Sequence, residues 1–226
     1  MASTSAGMSE EPHSNTRRRF VRASLASLGL VAVASPALAA SDLIGTLLAR
    51  SPPAPASNAT AAIVAAASAG LERAGGRVAH RDVVGVADFG RHSRLPRLHL
   101  VEMAGGRVAS LLVAHGRGSD PEHTGWLTRF SNAAGSDATS EGHYLTGEYY
   151  VGAHGRSMRL AGLDSTNCNA EPRGIVVHAA WYVGPEIIQA HGMLGRSEGC
   201  FAVSPSDLST VLAHLGPGRL LVATKL

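Results

Sequence analysis

Lysine is almost absent from this chain: Lys225 is the only one, and arginine supplies the rest of the 20 basic residues, set against 17 acidic ones. The formal net charge of +3 invites a nucleic-acid role, but the charge is unevenly placed. Arg17, Arg18, Arg19 and Arg22 crowd the N-terminus, where Glu10 and Glu11 are the only acids. Without residues 1–39 the balance falls to about +1, too little for a protein that holds phosphates by charge. Nucleic acid is therefore not an expected partner. No His, Cys or carboxylate grouping has metal-site spacing, so neither a metal nor a cofactor is expected. Internal repeats are missing. Cysteine is scarce as well, with only Cys168 and Cys200. In an exported protein the plain reading of two cysteines is a disulfide.

What is present begins with three ordered features. Thr16-Arg17-Arg18-Arg19-Phe20-Val21-Arg22 has a twin-arginine pattern, Ala23 to Ala34 is weakly apolar, and Pro36-Ala37-Leu38-Ala39 offers small residues to a signal peptidase. Residues 1–39 thus read as a twin-arginine signal peptide and the protein as periplasmic. The alternative is a basic tail before a buried helix. The apolar run is too short for a permanent membrane anchor. Residues 40–80 read as a linker, stiffened by Ser51-Pro52-Pro53-Ala54-Pro55-Ala56-Ser57, and a short Ala-rich helix. That helix runs from Ala61 to Arg73, with Asn58 or Thr60 as cap and Gly75-Gly76 as stop.

Residues 81–226 read as one mainly β domain with a few short helices. Val83–Phe89, Leu98–Met103 and Val108–His115 are strand-like, and Ala104-Gly105-Gly106-Arg107 closes a hairpin. Residues 116–142 form a long irregular excursion, the kind of loop that commonly carries function. Further strands are expected at Gly142–Glu148, Arg156–Leu160, Ile175–Val177 and Leu220–Ala223. Helices are expected from Pro185 to Ala190 and from Ser204 to Leu215.

Two residues stand out chemically. Cys200 follows Gly199, and His178 ends the apolar run Gly174-Ile175-Val176-Val177. A thiol near neutral pH is only a few per cent thiolate, so a nucleophilic cysteine needs a base or a positive field. His178 is the candidate base, with a backbone carbonyl orienting its other ring nitrogen. Gly199 permits close approach of backbone and substrate, and the Gly199 and Cys200 amides are candidate oxyanion donors. The alternative is that Cys200 is a small buried hydrophobe and His178 a satisfied core histidine.

The run Val177-His178-Ala179-Ala180-Trp181-Tyr182, followed at sixteen residues from Trp181 through Arg196 by Ser197-Glu198-Gly199-Cys200, resembles the L,D-transpeptidase (YkuD-type) catalytic domain, and its murein branch in particular. Val86-Ala87-Asp88-Phe89, Leu112–Gly116, Arg129–Asn132, Tyr144–Tyr150 and Leu194–Ser197 are similar to that branch in the same order, over about residues 83–225. The resemblance implies a β-sandwich-like fold and a cysteine acyltransferase acting on peptidoglycan stem peptides. Cys200 would be the nucleophile, His178 the base and the Ala179 carbonyl its orienter, with Ser197 and Gly199 in support. The product would be a 3→3 cross-link made through a thioester. This chain has Ala179, Glu198 and Ala202 where the wider family often has Gly, His or Arg, and Arg. An acid beside a desolvated thiol raises its pKa.

Arg196 is a candidate anchor for a stem carboxylate, or else half of a structural ion pair. His115, Ser131, Asn132, Tyr144 and Arg159 either line the cleft or serve the core. Given the family pattern, a Cys168–Cys200 disulfide is not expected. Two other functions compete: an L,D-carboxypeptidase or other peptidoglycan hydrolase using the same nucleophile, and a non-catalytic wall-binding domain. The sequence leaves the oligomeric state open.

Overall fold

The computed structural model describes residues 57–226. The signal peptide assigned to 1–39 and the linker through residue 56 lie outside the described residues. Helix α1 spans Asn58–Ala74. Its cap is Ser57, one residue before the expected Asn58, and the Ser57 hydroxyl accepts the Thr60 amide at 3.3 Å. Gly75, at φ 58°, stops the helix as expected. Ile63, Ala67, Leu71 and Ala74 fall on one face and are buried. They pack on Val84, Val86, Val101, Leu220 and Val222, so α1 covers one side of the sheet.

The eight strands are β1 Val83–Asp88, β2 Leu98–Glu102, β3 Arg107–Leu111, β4 Gly142–Gly152, β5 Gly155–Gly162, β6 Val176–Ala179, β7 Phe201–Val203 and β8 Leu220–Thr224. They form one sheet in the order β3-β2-β1-β8-β4-β5-β6-β7. Two pairs are parallel, β1 with β8 and β6 with β7. Two further helices, α2 (Pro185–His191) and α3 (Leu208–His214), complete the mainly β fold.

The sheet is bent into the expected sandwich, and its inner face closes on a shared core. Leu98 and Leu100 of β2, Tyr144 of β4, Met158 and Leu160 of β5 and Phe201 and Val203 of β7 belong to the same buried cluster. The Phe89 and Phe201 rings lie 6.0 Å apart although β1 and β7 are separated by four strands. Ala114 bridges Ala202, tying the far edge back. Each fully buried side chain of this size contributes about 1.5–3 kcal/mol, so the core fixes where β6 and β7 lie.

Several elements depart from the sequence reading. β3 ends at Leu111, short of the expected His115, and α3 starts at Leu208, four residues after the expected Ser204. β4 and β5 run on past Glu148 and start before Arg156, meeting in a hairpin at Ala153-His154. The three residues of β7 went unread because a buried strand that short has no detectable period. No helix among the described residues is long and apolar enough to cross a membrane.

Candidate active site

β6 and β7 pair in parallel, with His178 opposite Ala202. Cys200 ends the loop that enters β7 and, by this register, falls level with Val176, two positions before His178, so residues 178 and 200 lie on the same face of neighbouring strands. Both line a cleft of about 690 Å³ with Arg173, Tyr182, Ser197 and Glu198. A slightly larger hollow of about 720 Å³ lies beside α1, lined by Gly70, His143 and Asp164, and touches neither residue.

His178 is 2 % exposed. Its Nδ1 lies 2.9 Å from the Ala179 carbonyl, the contact expected from the resemblance. A carbonyl only accepts, so Nδ1 carries the proton and Nε2 is left as the basic nitrogen. Nε2 has no protein partner and is not sealed from solvent, since the only sealed side-chain N or O without a partner among the described residues is His99 Nε2. Burial holds the His178 pKa below the usual imidazole value, opposed by the Ala179 carbonyl. Burial likewise pushes the Cys200 thiol up, against the pull of the Val176 amide and the Arg173 charge. Both groups therefore rest neutral in the cleft, the thiol donating to the Gly174 carbonyl at 3.6 Å. The 240 nm absorbance of a Cys200 thiolate, taken as wild type minus Cys200→Ala, is expected to appear only above the ordinary thiol range. Its appearance near pH 6 would mean a preformed ion pair instead.

The turn that presents Cys200 is internally braced. The Ser197 hydroxyl donates to the Cys200 carbonyl at 2.7 Å and accepts the Gly199 amide at 3.2 Å. Ser197 itself is held by backbone bonds to His115 and Arg117. The Gly199 amide is thus engaged by Ser197, which corrects the expectation that it points at an oxyanion. Gly199 sits at φ +111°, and a Cβ there would lie 2.8 Å from the Ala138 carbonyl oxygen. Gly199→Ala is expected to destabilise the fold by about 1–3 kcal/mol, read as a lowered denaturation midpoint, and to displace the thiol.

Glu198 does not crowd the thiol. Its side chain is 70 % exposed and pairs with Arg117 at 3.2 Å, and it is the last among the causes that shift Cys200. Arg196 lines the cleft, but it bonds the Asp120 and Pro121 carbonyls, and among the described residues it forms no ion pair of the kind offered as the alternative to a substrate anchor.

Three expected cleft residues lie elsewhere. His115 is 1 % exposed, between Arg97 at 2.7 Å and Asp120 at 3.4 Å. Tyr144 is fully buried against Phe201, with its hydroxyl on the Ser140 carbonyl. Asn132 pins the 165–169 loop through Ser165, Cys168 and Asn169. All three have polar partners supplied by the fold itself, which one-dimensional spacing does not reveal. Cys168 and Cys200 are both free.

Two site residues were missed. His154, at the tip of the β4–β5 hairpin, stacks on His178 with ring centroids 4.2 Å apart. Arg173, in the loop before β6, lines the cleft beside the thiol. Neither sits in a motif. The Ala153-His154-Gly155 turn was the only available signal for His154.

The family model described as the L,D-transpeptidase catalytic domain matches residues 56–223. Among solved structures, the chain is similar to an L,D-transpeptidase from Mycobacterium smegmatis at 15 % identity and a TM-score of 0.39, covering 63 % of this chain and 58 % of that one. It is also similar to an L,D-transpeptidase from Mycobacterium tuberculosis H37Rv at 18 % identity and a TM-score of 0.40, covering 63 % and 57 %. L,D-transpeptidase 3 of M. tuberculosis, solved with a faropenem-derived adduct, matches at 18 % identity and 0.40, covering 64 % and 60 %. The chain therefore spans less than two thirds of these relatives. No curated protein matches it in sequence. With the matched segment covering nearly all the described residues, the chain belongs to the L,D-transpeptidase catalytic domain family.

Proposed function

We propose that this protein is a periplasmic cysteine acyltransferase that forms 3→3 cross-links between peptidoglycan stem peptides. The observation that carries this is the shared cleft of Cys200, a free thiol, and His178, whose Nε2 is a neutral base open to that cleft. His178 Nε2 takes the Cys200 proton as sulfur adds to the carbonyl of the third stem residue. The tetrahedral intermediate collapses, the terminal residue leaves, and its nitrogen receives the proton from His178. A thioester remains on Cys200. The side-chain amine of a second stem adds to the thioester, giving its proton to His178. The new amide forms, and the Cys200 thiolate departs and is reprotonated.

The depressed pKa of His178 suits this cycle, because the imidazole stays neutral to more acid pH than a free histidine.

The test is product analysis. Purified protein incubated with tetrapeptide stem monomers is expected to yield 3→3 dimers, and incubation with a carbapenem is expected to give one covalent adduct on Cys200 by mass spectrometry. Tripeptides without dimers would replace the transferase with the L,D-carboxypeptidase. Neither product nor adduct would leave the wall-binding domain.

A further inference from the structure

The charges of the cleft do not balance. Arg117, Arg173 and Arg196 line it, facing the carboxylates of Asp137 and Glu198. Both carboxylates turn to Arg117, at 2.8 and 3.2 Å. Among the described residues, Arg173 and Arg196 have no carboxylate partner.

Arg173 is nevertheless rigidly held. Its Nη1 donates to the Ser131 carbonyl at 2.9 Å and to Ser140 Oγ at 2.7 Å, and its Nη2 donates to the Ala138 carbonyl at 2.5 Å. All three acceptors are neutral, so the positive charge is fixed without being cancelled. A guanidinium has five N–H donors. Two remain, Nε–H and one on Nη2, and neither has a protein partner among the described residues. The Nε and Nη2 edge of a guanidinium is one that a carboxylate takes with both oxygens. Arg173 lines the cleft, and its Nε is not among the sealed, unpartnered atoms, so it keeps access to solvent.

The position of Arg173 tells which carboxylate. Its Nη2 lies 3.1 Å from where a Cβ on Gly199 would be, so the guanidinium abuts the backbone next to Cys200. In the proposed donor, the carboxylate of the leaving residue follows the scissile carbonyl by one residue, roughly 3.5 Å along the chain. Arg196 is anchored to the Asp120-Pro121 carbonyls, with no such contact to the Cys200 turn.

We infer that Arg173 is the receptor for the free terminal carboxylate of the donor peptide and so sets the preference for a free-acid donor over a capped or extended one. The inference rests on the acyltransferase function proposed above and names the residue of that site that reads the end of the donor. A donor extended by one residue, or capped as an amide, would place a neutral group against a fixed charge that has no other partner.

The experiment compares release of the terminal residue from a tetrapeptide stem and from the same peptide ending in a primary amide. The wild type is expected to favour the free acid by about 10- to 100-fold in kcat/KM, the range for a charge-assisted bidentate contact. Arg173→Met is expected to shrink that preference to about threefold or less, while Arg196→Met keeps it. Alkylation of Cys200 by neutral iodoacetamide reports whether the thiol remains in place. Arg173 also braces the 131–140 loop, so Arg173→Lys provides a second variant that keeps the charge without the fork. It is expected to retain part of the preference. Equal use of acid and amide by the wild type overturns the inference and leaves the acyltransferase standing. So does an undiminished preference in both Arg173 variants. Failure of the wild type to release anything from either peptide removes the acyltransferase itself and the inference with it.

Discussion

Cys200→Ala is expected to form no carbapenem adduct and no cross-linked or trimmed product, and His178→Gln to slow adduct formation by about 100- to 10,000-fold. The two losses have different causes. Removing Cys200 removes the only thiol in the cleft; Cys168, the other cysteine, is exposed and bound to the Ser165 carbonyl. Alanine keeps the small volume, so the Ser197 bond to the backbone carbonyl of residue 200 is retained. The variant should therefore melt like the wild type, which separates lost chemistry from lost fold. Removing His178 leaves a thiol that burial has already pushed above its ordinary pKa. Without a base it has no acceptor for its proton near neutral pH. The residual rate of His178→Gln should rise steeply with pH, following the thiolate alone, whereas the wild type should level off once His178 is neutral. A His178→Gln profile matching the wild type would assign the base elsewhere, with His154 the next imidazole in the stack.

Arg97→Met is expected to destabilise the protein by about 3–5 kcal/mol, as breaking a buried ion network does. That is a large share of a typical total of about 5–15 kcal/mol. Arg97 is fully buried. Its guanidinium donates to the Val113 and Arg91 carbonyls and to His115 Nδ1, and stands 5.0 Å over the Phe89 ring. Burial brings its pKa down to about 9, so it is still charged at neutral pH. Because Arg97 can only donate, His115 Nδ1 must accept, and Nε2–H points at Asp120. Methionine would strand those acceptors and remove the positive charge that interacts with the buried Asp88 and Asp120. Urea midpoints at fixed slope measure the loss.

The same network predicts the acid limit of the fold. Burial, and then the Arg97 charge, bring the His115 pKa down to about 3. Between its ordinary value near 6.5 and about 3, the unfolded chain binds a proton that the folded chain does not. Stability from this group is complete above pH 6.5 and falls as the pH drops toward 3. Asp120, whose pKa its neighbours hold below the carboxylate range, adds a loss of the same sign at the acid end. In Arg97→Met the repelling charge is gone, so the slope of midpoint against pH should be shallower than in the wild type.

Much of this was legible in residue order. The β-branched runs at Val83–Val86 and Val176–Val177, the Gly105-Gly106 turn and the Gly75 stop are local signals, and each produced the element it announced. The likeness of 177–182 and 195–200 to one family is also a one-dimensional property, and the family match covers the same stretch. What residue order could not supply was the partner of each polar side chain. His115 and His178 are both buried histidines after apolar runs. One has its basic nitrogen locked by Arg97 and the other has it open to a cleft. Asn132, Tyr144 and Arg196 were candidates for the substrate cleft, yet Asn132 and Arg196 are satisfied by loop groups distant in sequence, and Tyr144 by the Ser140 carbonyl under the Phe201 ring.

The sequence by itself determined the mainly β class, the family, and the pairing of Cys200 with His178 as the residues to test. Composition, short-range periodicity and motif spacing are all properties of neighbours along the chain. Only the tertiary structure decided which charges stay uncancelled beside the thiol. It turned Glu198 out to Arg117, engaged the Gly199 amide with Ser197, laid His154 on His178 and fixed Arg173 by three neutral acceptors. The physical reason is that a charge is neutralised by whatever lies within a few ångströms of it, and the bent sheet chooses those neighbours from loops far apart in sequence.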